Sequence, residues 1–332
     1  MAGPIKLGII GCGDVMTAYM YMVQQLRAQG LVEVTAACDV REERLQYMKD
    51  RYSVESLTSD YHELLQSEDV DLVLVLTSMA EHGPVAIAAL EAGKHVLLEK
   101  PMALTLDEAE RLLEVAESSS GHLICAPYVI LSTTYQIMWH RIQRGDIGSV
   151  KLARARYGHA GPTWGQWYFR PGGGALFDLS PYNLTSLTGF LGPAKRVMAM
   201  TGTAIQERMV DNEMMSVEVE DNAQVLLDFG ESAFAVITAG FTIQQYRSPA
   251  IELYGTKGAI QMLGDDWDPE GYELWLNEVG AWLTFKETDP GWLWTDGLRH
   301  MVECIQNDTS PLITPEHAFH VLEIMLKAKE AG

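Results

Sequence analysis

The chain has 332 residues, of which 47% are hydrophobic and 21% charged, and its formal net charge is -21. This length exceeds what one ordinary hydrophobic core organises, so we expect two domains. The acidic balance excludes nucleic acid and anionic membrane surfaces as partners, because both attract proteins through basic faces. No apolar run approaches the ~20 residues of a membrane span. The first strand-like run already begins at Ile5, which leaves no room for a secretory signal.

Strand-like and helix-like segments alternate along the first part of the chain. The apolar run "IKLGIIGCG" precedes the helical pattern "DVMTAYMYMVQQLRAQ", and the strand-like runs "VEVTAACD", "VDLVLVLT" and "HVLLEKP" are each followed by a helical pattern. Strands that are apolar on both faces and alternate with helices predict a parallel sheet covered by helices. We therefore predict an α/β domain of the Rossmann dinucleotide-binding type over residues 1–126.

Glycines stand where the first strand turns into the first helix. A side chain there would keep the backbone away from the pyrophosphate of a dinucleotide, whose charge the helix N-terminus stabilises. Met16 occupies the usual third small position, so the fingerprint is incomplete. The predicted cofactor-contacting residues in this turn are Gly11, Cys12, Gly13, Asp14 and Val15.

Asp39 follows the second strand-like run, together with Val40 and Arg41. A carboxylate at this place accepts hydrogen bonds from the adenosine ribose hydroxyls and repels a 2'-phosphate. NAD is therefore favoured over NADP, a preference that Arg41 can soften. The competing interpretation makes Asp39 the N-cap of the helix "REERLQ", and both roles can coexist.

Glu99 and Lys100 come directly after the apolar run "HVLL" and shortly before the helical segment "LDEAERLLEVAESS". Ligands of open α/β sheets are held where strands end and helices begin. Position alone therefore makes this pair a candidate ligand contact. Without further context, a solvated charge pair in a turn is the better explanation.

Beyond Ala126 the pattern changes to longer alternating runs. One more helix, ending near Gly145, precedes five strand-like segments that are mostly joined by turn residues: "VKLARARYGH", "KRVMAMTGTAI", "MSVEVEDNAQVLLDF", "SAFAVITAGFTIQ" and "AIELYGTKGAIQML". Such segments predict a sheet that is mainly antiparallel. We therefore predict an α+β domain over residues 127–332, with a large open β-sheet.

Asp178 and Tyr182 lie four residues apart at the predicted start of a helix, so both point from one helix face. A helix N-cap and a partly buried anchor are the structural alternatives for these two residues. Just upstream, Trp164, Trp167 and Arg170 offer aromatic faces and a guanidinium fork that suit a sugar ring. Packing at a sheet edge explains these three equally well.

No metal site is predicted. The four cysteines, Cys12, Cys38, Cys125 and Cys304, have no CxxC spacing, and we expect buried, reduced thiols in a cytoplasmic protein. His317 and His320 have helical spacing and are interpreted as packing residues.

An ordered set of motifs resembles the Gfo/Idh/MocA family of oxidoreductases, named after glucose-fructose oxidoreductase and inositol dehydrogenase. The set comprises "GIIGCG", Asp39, "TSMAEHGPVAIAALEAGKHVLLEKPMALT" and "GGGALFDLSPYNL". In this family the lysine of the EKP motif lies beside the nicotinamide and touches the substrate hydroxyl. The resemblance therefore implies that Lys100 is catalytic and contacts substrate.

Further roles follow from the same resemblance. Glu99 would lie near the nicotinamide ribose, and the bond before Pro101 is often cis in this family. Cofactor contacts are also implied for Thr77, Ser78 and His82, although Ser78 stands where the family usually has proline.

The family commonly carries an aspartate followed four residues later by histidine, or by tyrosine in its glucose-fructose oxidoreductase and dihydrodiol dehydrogenase branches. With Asp178 and Tyr182, this chain is similar to the tyrosine branch. A tyrosine of pKa about 10 needs a nearby cation to act as a base at neutral pH. The implied set is Tyr182 as proton acceptor, Lys100 as oxyanion stabiliser and Asp178 as orienting group. Pro181 is expected only in a first helical turn.

The leading hypothesis is an NAD(P)-dependent oxidoreductase that transfers hydride between nicotinamide and a secondary hydroxyl of a sugar, glycoside or cyclitol. An NAD-requiring glycosidase that works by transient sugar oxidation is one alternative, and a non-catalytic dinucleotide-binding regulator is another. The resemblance also implies a homodimer or homotetramer, formed by pairing of the C-terminal sheets.

Overall fold

The computed structural model describes residues 3–286, 288–289 and 291–332. The chain divides into two compact units. The first unit contains the residues up to Tyr128 together with Leu293–Phe319, and the second contains Val129–Trp292 and His320–Gly332. Leu293–Phe319, which the sequence analysis placed in the C-terminal domain, therefore belongs to the first unit.

The first unit is built on a parallel sheet of six strands. Its strands in chain order are β1 (Ile5–Ile10), β2 (Val32–Cys38), β3 (Ser56–Thr58), β4 (Leu72–Val75), β5 (His95–Leu98) and β6 (Leu123–Cys125). Their spatial order is β3-β2-β1-β4-β5-β6, so the order reverses between β1 and β4. In open α/β sheets such a reversal creates a crevice at the carboxyl ends of the strands.

Helices connect these parallel strands. Those in the first unit are α1 (Asp14–Ala28), α2 (Glu42–Tyr52), α3 (Tyr61–Leu65), α4 (His82–Glu91) and α5 (Leu106–Ser118), with α8 (Gly297–Asn307) added from the segment near the C-terminus. Every residue of β4 is buried, as expected for a strand covered on both faces. The predicted α/β Rossmann fold of the first domain is thus confirmed.

The second unit contains an eight-stranded sheet in the order β16-β15-β14-β13-β7-β12-β11-β8. The strands are β7 (Val150–Gly158), β8 (Arg196–Gly202), β11 (Asn222–Gly230), β12 (Ala233–Gly240), β13 (Ile251–Gly255), β14 (Gly258–Asp265), β15 (Asp268–Leu276) and β16 (Ala281–Phe285). Only β7 and β12 pair in parallel within this sheet. The predicted large, mainly antiparallel sheet is confirmed. A separate hairpin joins β9 (Glu207–Val210) to β10 (Glu213–Ser216).

The helices assigned to this half of the chain are α6 (Thr133–Gln143), α7 (Ala175–Leu191) and α9 (Pro315–Ala331). Helix α7 packs against β7, β11 and β12 and is buried along most of its length. Residues along β11 alternate between buried and exposed or half-buried, which is the period of a strand with one covered face. One face of the sheet therefore forms a core with α7.

Two expectations need correction. Strand β15 was not predicted, because its acidic and aromatic sequence "DPEGYELWL" lacks a clean alternation of apolar residues. Pro181 lies inside α7, beyond its first turn, because the helix already begins at Ala175. Proline has no N–H to donate, so the helix loses one backbone hydrogen bond at this residue.

Within the described ranges, no helix is long and apolar enough to cross a membrane. The same residues contain no group of three or more histidine, cysteine or acidic side chains that could hold a metal ion. The four cysteines are free and buried. His320 accepts a hydrogen bond from the backbone N–H of Ala194 at 3.0 Å, which gives it a packing role.

Candidate active site

The turn after β1 depends on Gly11. Its φ is +92°, a left-handed value that L side chains rarely adopt. A Cβ on Gly11 would also lie 2.5 Å from the carbonyl oxygen of Leu76, just after β4. Glycine is therefore required here by the protein's own backbone.

Gly13 is a glycine for a different reason. It is the N-cap of α1 and has an ordinary φ of -75°. A Cβ placed on it would meet only one protein atom within 4 Å, Nη2 of Arg41 at 3.9 Å. Among the residues that the structure describes, none excludes a side chain at Gly13 by packing. The space beside this helix N-terminus, where backbone N–H groups favour an anion, thus fits a dinucleotide's pyrophosphate.

Asp39 ties the end of β2 to this turn. Its Oδ2 accepts a hydrogen bond from the N–H of Cys12 at 2.8 Å, and its Oδ1 accepts from the N–H of Arg41 at 2.9 Å. Arg41, not Asp39, is the N-cap residue of α2, so the N-cap interpretation of Asp39 is wrong. The Arg41 guanidinium lies 3.4 Å from the same carboxylate. Val40 beside it is 86% exposed.

Asp14 and Val15 are exposed at the start of α1, and Asp14 forms an ion pair with Arg44 at 3.1 Å. The third small position of the fingerprint, Met16, is fully buried.

His82 connects two loops at the same sheet edge. It is the first residue of α4 and is only 2% exposed. Its Nδ1 lies 2.7 Å from the carbonyl oxygen of Pro101, and its Nε2 lies 3.2 Å from that of Thr77. Burial lowers the pKa of His82, whereas the hydrogen bond to Pro101 and the charge of Glu99 oppose this shift. The neutral ring has a single N–H and donates to one of the two carbonyl oxygens, with the other nitrogen in contact only. The structure thus shows His82 holding the loops together. Its predicted cofactor contact, like those of Thr77 and the exposed Ser78, stays a prediction.

Glu99 and Lys100 follow β5 directly, at the carboxyl edge of the sheet. The Glu99 carboxylate is 8% exposed, and it accepts hydrogen bonds from the Tyr19 hydroxyl at 2.6 Å and from the Lys100 N–H at 3.0 Å. The Lys100–Pro101 peptide bond is cis, as the resemblance implied. Glu99 is therefore part of the folded interior at this edge, and Lys100 beside it is half-buried, so a fully solvated charge pair does not describe them.

Sequence reasoning missed the tyrosines behind Glu99. The hydroxyls of Tyr19 and Tyr128 lie 3.2 Å apart, and both side chains are buried. Burial, with the nearby Glu99 charge, raises the pKa of Tyr19 well above its usual value, so this hydroxyl stays a donor. Trp294 packs edge-on against Tyr19, with ring centroids 5.7 Å apart. The helical pattern indicates only that Tyr19 lies on the apolar face of α1. No local sequence feature indicates that it donates a hydrogen bond to Glu99.

In the second unit, Asp178 lies in the first turn of α7 and lines an open cleft of about 340 Å³. The lining residues are His159, Gly161, Pro162, Thr163, Trp164, Tyr168 and Asp178. Tyr182 is half-buried one turn further along α7, and its ring packs edge-on against Tyr157 at 5.4 Å. Trp167 and Arg170 are exposed and are not among the lining residues, while Trp164 is. A cleft of this size suits a small ligand.

The N-terminus of α7 is capped from another part of the chain. Gly174 is its N-cap residue, with φ +101° and no capping side chain. Glu220 takes over this role: its Oε1 accepts the N–H of Leu176 at 3.3 Å, and its carbonyl oxygen accepts that of Ala175 at 3.1 Å. The N-cap interpretation of Asp178 is therefore wrong, and Asp178 lines the cleft from the first turn of α7.

His159, immediately after β7, is a titratable residue of the cleft that sequence reasoning did not single out. Its Nδ1 accepts the Gly161 N–H at 3.1 Å. Since a backbone N–H can only donate, the proton of the neutral ring is on Nε2. Burial lowers the pKa of His159, Asp178 opposes this shift and Arg208 adds to it. Its position at a strand end beside "GP" was the available signal.

Two family models match the chain. The model described as an oxidoreductase family with an NAD-binding Rossmann fold matches residues 5–126, and the Gfo/Idh/MocA C-terminal domain matches residues 135–261. The chain belongs to the Gfo/Idh/MocA family of oxidoreductases. Its first unit is accordingly an NAD-binding Rossmann domain.

Relatives of this Gfo/Idh/MocA protein include dehydrogenases of cyclitols and diols. Myo-inositol 2-dehydrogenase of Thermotoga maritima is 28% identical over 256 residues, which cover 77% of this chain and 74% of the relative. Trans-1,2-dihydrobenzene-1,2-diol dehydrogenase of Macaca fascicularis is 24% identical, with coverage of 98% and 96%. A solved levoglucosan dehydrogenase, in complex with NADH and levoglucosan, has a TM-score of 0.87 at 20% identity and covers 99% of this chain and 97% of its own. This last likeness shows the fold.

Gly13→Ala should weaken NAD binding without destabilising the protein. The added methyl group meets no packed protein atom but occupies the space beside the α1 N-terminus, so we expect the Kd for NAD to rise by at least about tenfold, or ~1.4 kcal/mol. Titration calorimetry measures the Kd, and thermal unfolding checks the fold. Gly3→Ala, also in open space, is the matched control. An unchanged Kd in Gly13→Ala would contradict the assignment.

Proposed function

We propose that this Gfo/Idh/MocA protein oxidises a secondary hydroxyl of a sugar, glycoside or cyclitol with NAD. The observation that carries the proposal is the cleft in the second unit. There the Asp178 carboxylate and the His159 ring share a space with the rings of Trp164 and Tyr168. Hydroxyl groups pair with the first two, and aromatic faces cover the C–H face of a sugar ring.

The Rossmann residues fit a dinucleotide. The α1 N-terminus with the open space at Gly13 suits the pyrophosphate, and Asp39 suits the adenosine ribose. The chemistry that NAD supplies when bound is acceptance of a hydride. We infer a preference for NAD over NADP. The Asp39 carboxylate would repel the 2'-phosphate of NADP, and the neighbouring cation, Arg41, is already paired with Asp39.

Lys100 and Tyr182 would promote removal of the proton from the reacting hydroxyl. Oxidation of an alcohol is easier as negative charge develops on its oxygen, and a lysine cation stabilises that charge. The Tyr182 hydroxyl would take the proton and Asp178 would orient the substrate. Lys100 belongs to the first unit, whereas Tyr182 and Asp178 belong to the second. The proposal that these three residues act together therefore rests on the family resemblance.

His159 would contribute a hydrogen-bond donor to substrate. With Nδ1 engaged by Gly161, the neutral ring offers its Nε2–H, while Asp178 offers acceptor oxygens. A hydroxyl both donates and accepts, so the two side chains together suit a neutral polyol. The relatives named for myo-inositol and levoglucosan act on molecules of this kind.

The first test of the function is turnover. The protein is incubated with NAD, or separately NADP, and a panel of sugars, cyclitols and aryl glycosides, with absorbance recording reduced nicotinamide and a second channel recording released aglycone. We expect reduced nicotinamide with at least one alcohol. In Lys100→Met, kcat should fall about a hundredfold or more, the loss expected for an oxyanion stabiliser, with the Kd for NAD little changed.

Lys327→Met, at an exposed helical position, is the control for loss of a lysine. Aglycone release without net reduced nicotinamide would favour the glycosidase instead. Tight NAD binding with no turnover of either kind would favour the regulator.

His159 can be tested by two replacements that separate its nitrogens. Asparagine keeps an acceptor close to the position of Nδ1 and so retains the bond from Gly161, whereas glutamine places an N–H close to the position of Nε2. If the ring donates to substrate, His159→Asn should raise KM for the alcohol about tenfold, a loss of ~1.4 kcal/mol, and His159→Gln should raise it less. The reverse order would show that the ring only supports its loop.

We also propose self-association through the outer face of the C-terminal sheet. Adjacent exposed side chains on this face are apolar: Leu226 pairs with Met198 across β11 and β8, and Phe234 pairs with Leu152 across β12 and β7. Apolar patches of this kind mark interaction surfaces, and in this family a second copy covers the sheet.

Sedimentation equilibrium should therefore give the mass of a dimer or tetramer for the unaltered protein. Met198→Lys combined with Leu226→Lys should shift it toward the monomer, because two buried cations would lack partners. Met209→Lys, an exposed methionine on the separate hairpin, should not. A wild-type protein that sediments as a monomer would contradict the proposal.

A further inference from the structure

The turn between β14 and β15 carries a buried carboxyl group that the proposed chemistry does not use. Asp266 is 1% exposed. Its Oδ2 accepts hydrogen bonds from Nδ2 of Asn183 at 2.8 Å and from the hydroxyl of Ser186 at 3.2 Å. Both donors belong to α7, so a single carboxyl oxygen joins this turn to the helix.

Both donors lie shortly after Tyr182 on the same helix. Asn183 is the next residue, and Ser186 lies one helical turn further on, on the same face as Tyr182. The backbone of a helical residue does not shift independently of its neighbours, because hydrogen bonds from each N–H to the carbonyl four residues earlier connect them. The Asp266 carboxyl therefore restrains the segment of α7 that carries the Tyr182 phenol.

The same turn also reaches the ring of Tyr182 through an intermediate. Tyr157 packs edge-on against Tyr182, with ring centroids 5.4 Å apart and planes at 88°. On another side the Tyr157 ring lies 6.1 Å from that of Trp267, the residue after Asp266. Two consecutive residues of this turn thus contact the neighbours of Tyr182. Asp266 bonds to helix α7, and Trp267 packs against the ring of Tyr157.

We propose that Asp266 is a positioning residue, which through Asn183 and Ser186 fixes the direction in which Tyr182 presents its phenolic oxygen. The inference rests on the role proposed above for Tyr182. It gives Asp266 a function beyond stability, since burying a carboxyl group is unfavourable unless the group makes specific contacts.

Burial raises the pKa of Asp266 to about 7, although its hydrogen-bond donors oppose the shift. The charged and titratable groups that face it are Asp265 on its own turn, Arg156 and Tyr157 on β7, and Tyr246 in the loop after β12. Of these, Asp265 raises the pKa further and Arg156 lowers it.

The direction of this shift sets the effect of pH on stability. A folded-state pKa above the ordinary value means that folding favours the protonated form. The contribution of Asp266 to stability is then fully present at acid pH, is lost as the pH rises toward about 7, and stays absent above that. Asp266→Asn, which is neutral at every pH, should therefore melt at a higher temperature than wild type at pH 8 and at a similar temperature near pH 4.

The test compares Asp266→Ala, which removes the anchor, with the isosteric Asp266→Asn, and uses Asp268→Ala as an exposed control in the same hairpin. Hydrogen exchange of peptides covering residues 182–188 reports on α7 without any substrate. We expect faster exchange there in Asp266→Ala only. Steady-state kinetics should show a kcat lowered by about 10- to 100-fold, as a displacement of about 1 Å can cause. KM for NAD should be unchanged, and Asp266→Asn should restore most of the rate.

The proposal would be overturned if Asp266→Ala showed the same hydrogen exchange in α7 and the same kcat as the wild type. If Asp266→Ala does not fold, Ser186→Ala can replace it in the test, because it removes one of the two hydrogen bonds to Asp266. We expect an intermediate loss of kcat in Ser186→Ala. An unchanged kcat would count against the positioning role of Asp266. If wild type oxidises no alcohol of the panel, the proposed function fails. The exchange measurement then still decides whether Asp266 holds α7.

Discussion

All strands of the first sheet run in one direction, and the ligand-binding edge follows from this constraint. Parallel strands end at a common edge, so the residues after β1, β2, β4 and β5 come together although they are far apart in sequence. Hydrogen bonds between these loops show how closely they meet. The Cys12 N–H lies 2.8 Å from the Asp39 carboxylate, and the His82 ring lies between the carbonyl oxygens of Thr77 and Pro101. The edge is thus a connected surface, suited to one extended ligand.

In the second unit, one face of the sheet is covered by helix α7. This helix must complete the core and also present Asp178 and Tyr182. Its N-terminus is satisfied by Glu220 and its middle is bonded to Asp266, so contacts from two distant loops fix it. Functional side chains on a rigid, well-supported helix are placed more precisely than those on loops. In the proposed mechanism, this support would therefore matter as much as the side chains themselves.

Much of the fold was predictable because its signals are local. The alternation of periods predicted the Rossmann unit, and the i, i+4 spacing placed Asp178 and Tyr182 on one helix. Helix α8 was overlooked although Leu298, Met301 and Val302 follow the helical period. Strand β15 was harder, because its pairing with β14 and β16 decides it more than its own sequence does.

The sequence by itself determined most of the elements, the glycine turn and the motif at Lys100, because period, backbone stereochemistry and strand ends are properties of a few neighbouring residues. Only the tertiary structure decided that Tyr19 donates to Glu99 across 80 residues, and that Asn183 donates to Asp266 across 83. It also decided that His159 shares a cleft with Asp178. Such contacts depend on strand order and on the packing of helices against sheets, and no local pattern encodes which distant partner a buried polar group will find.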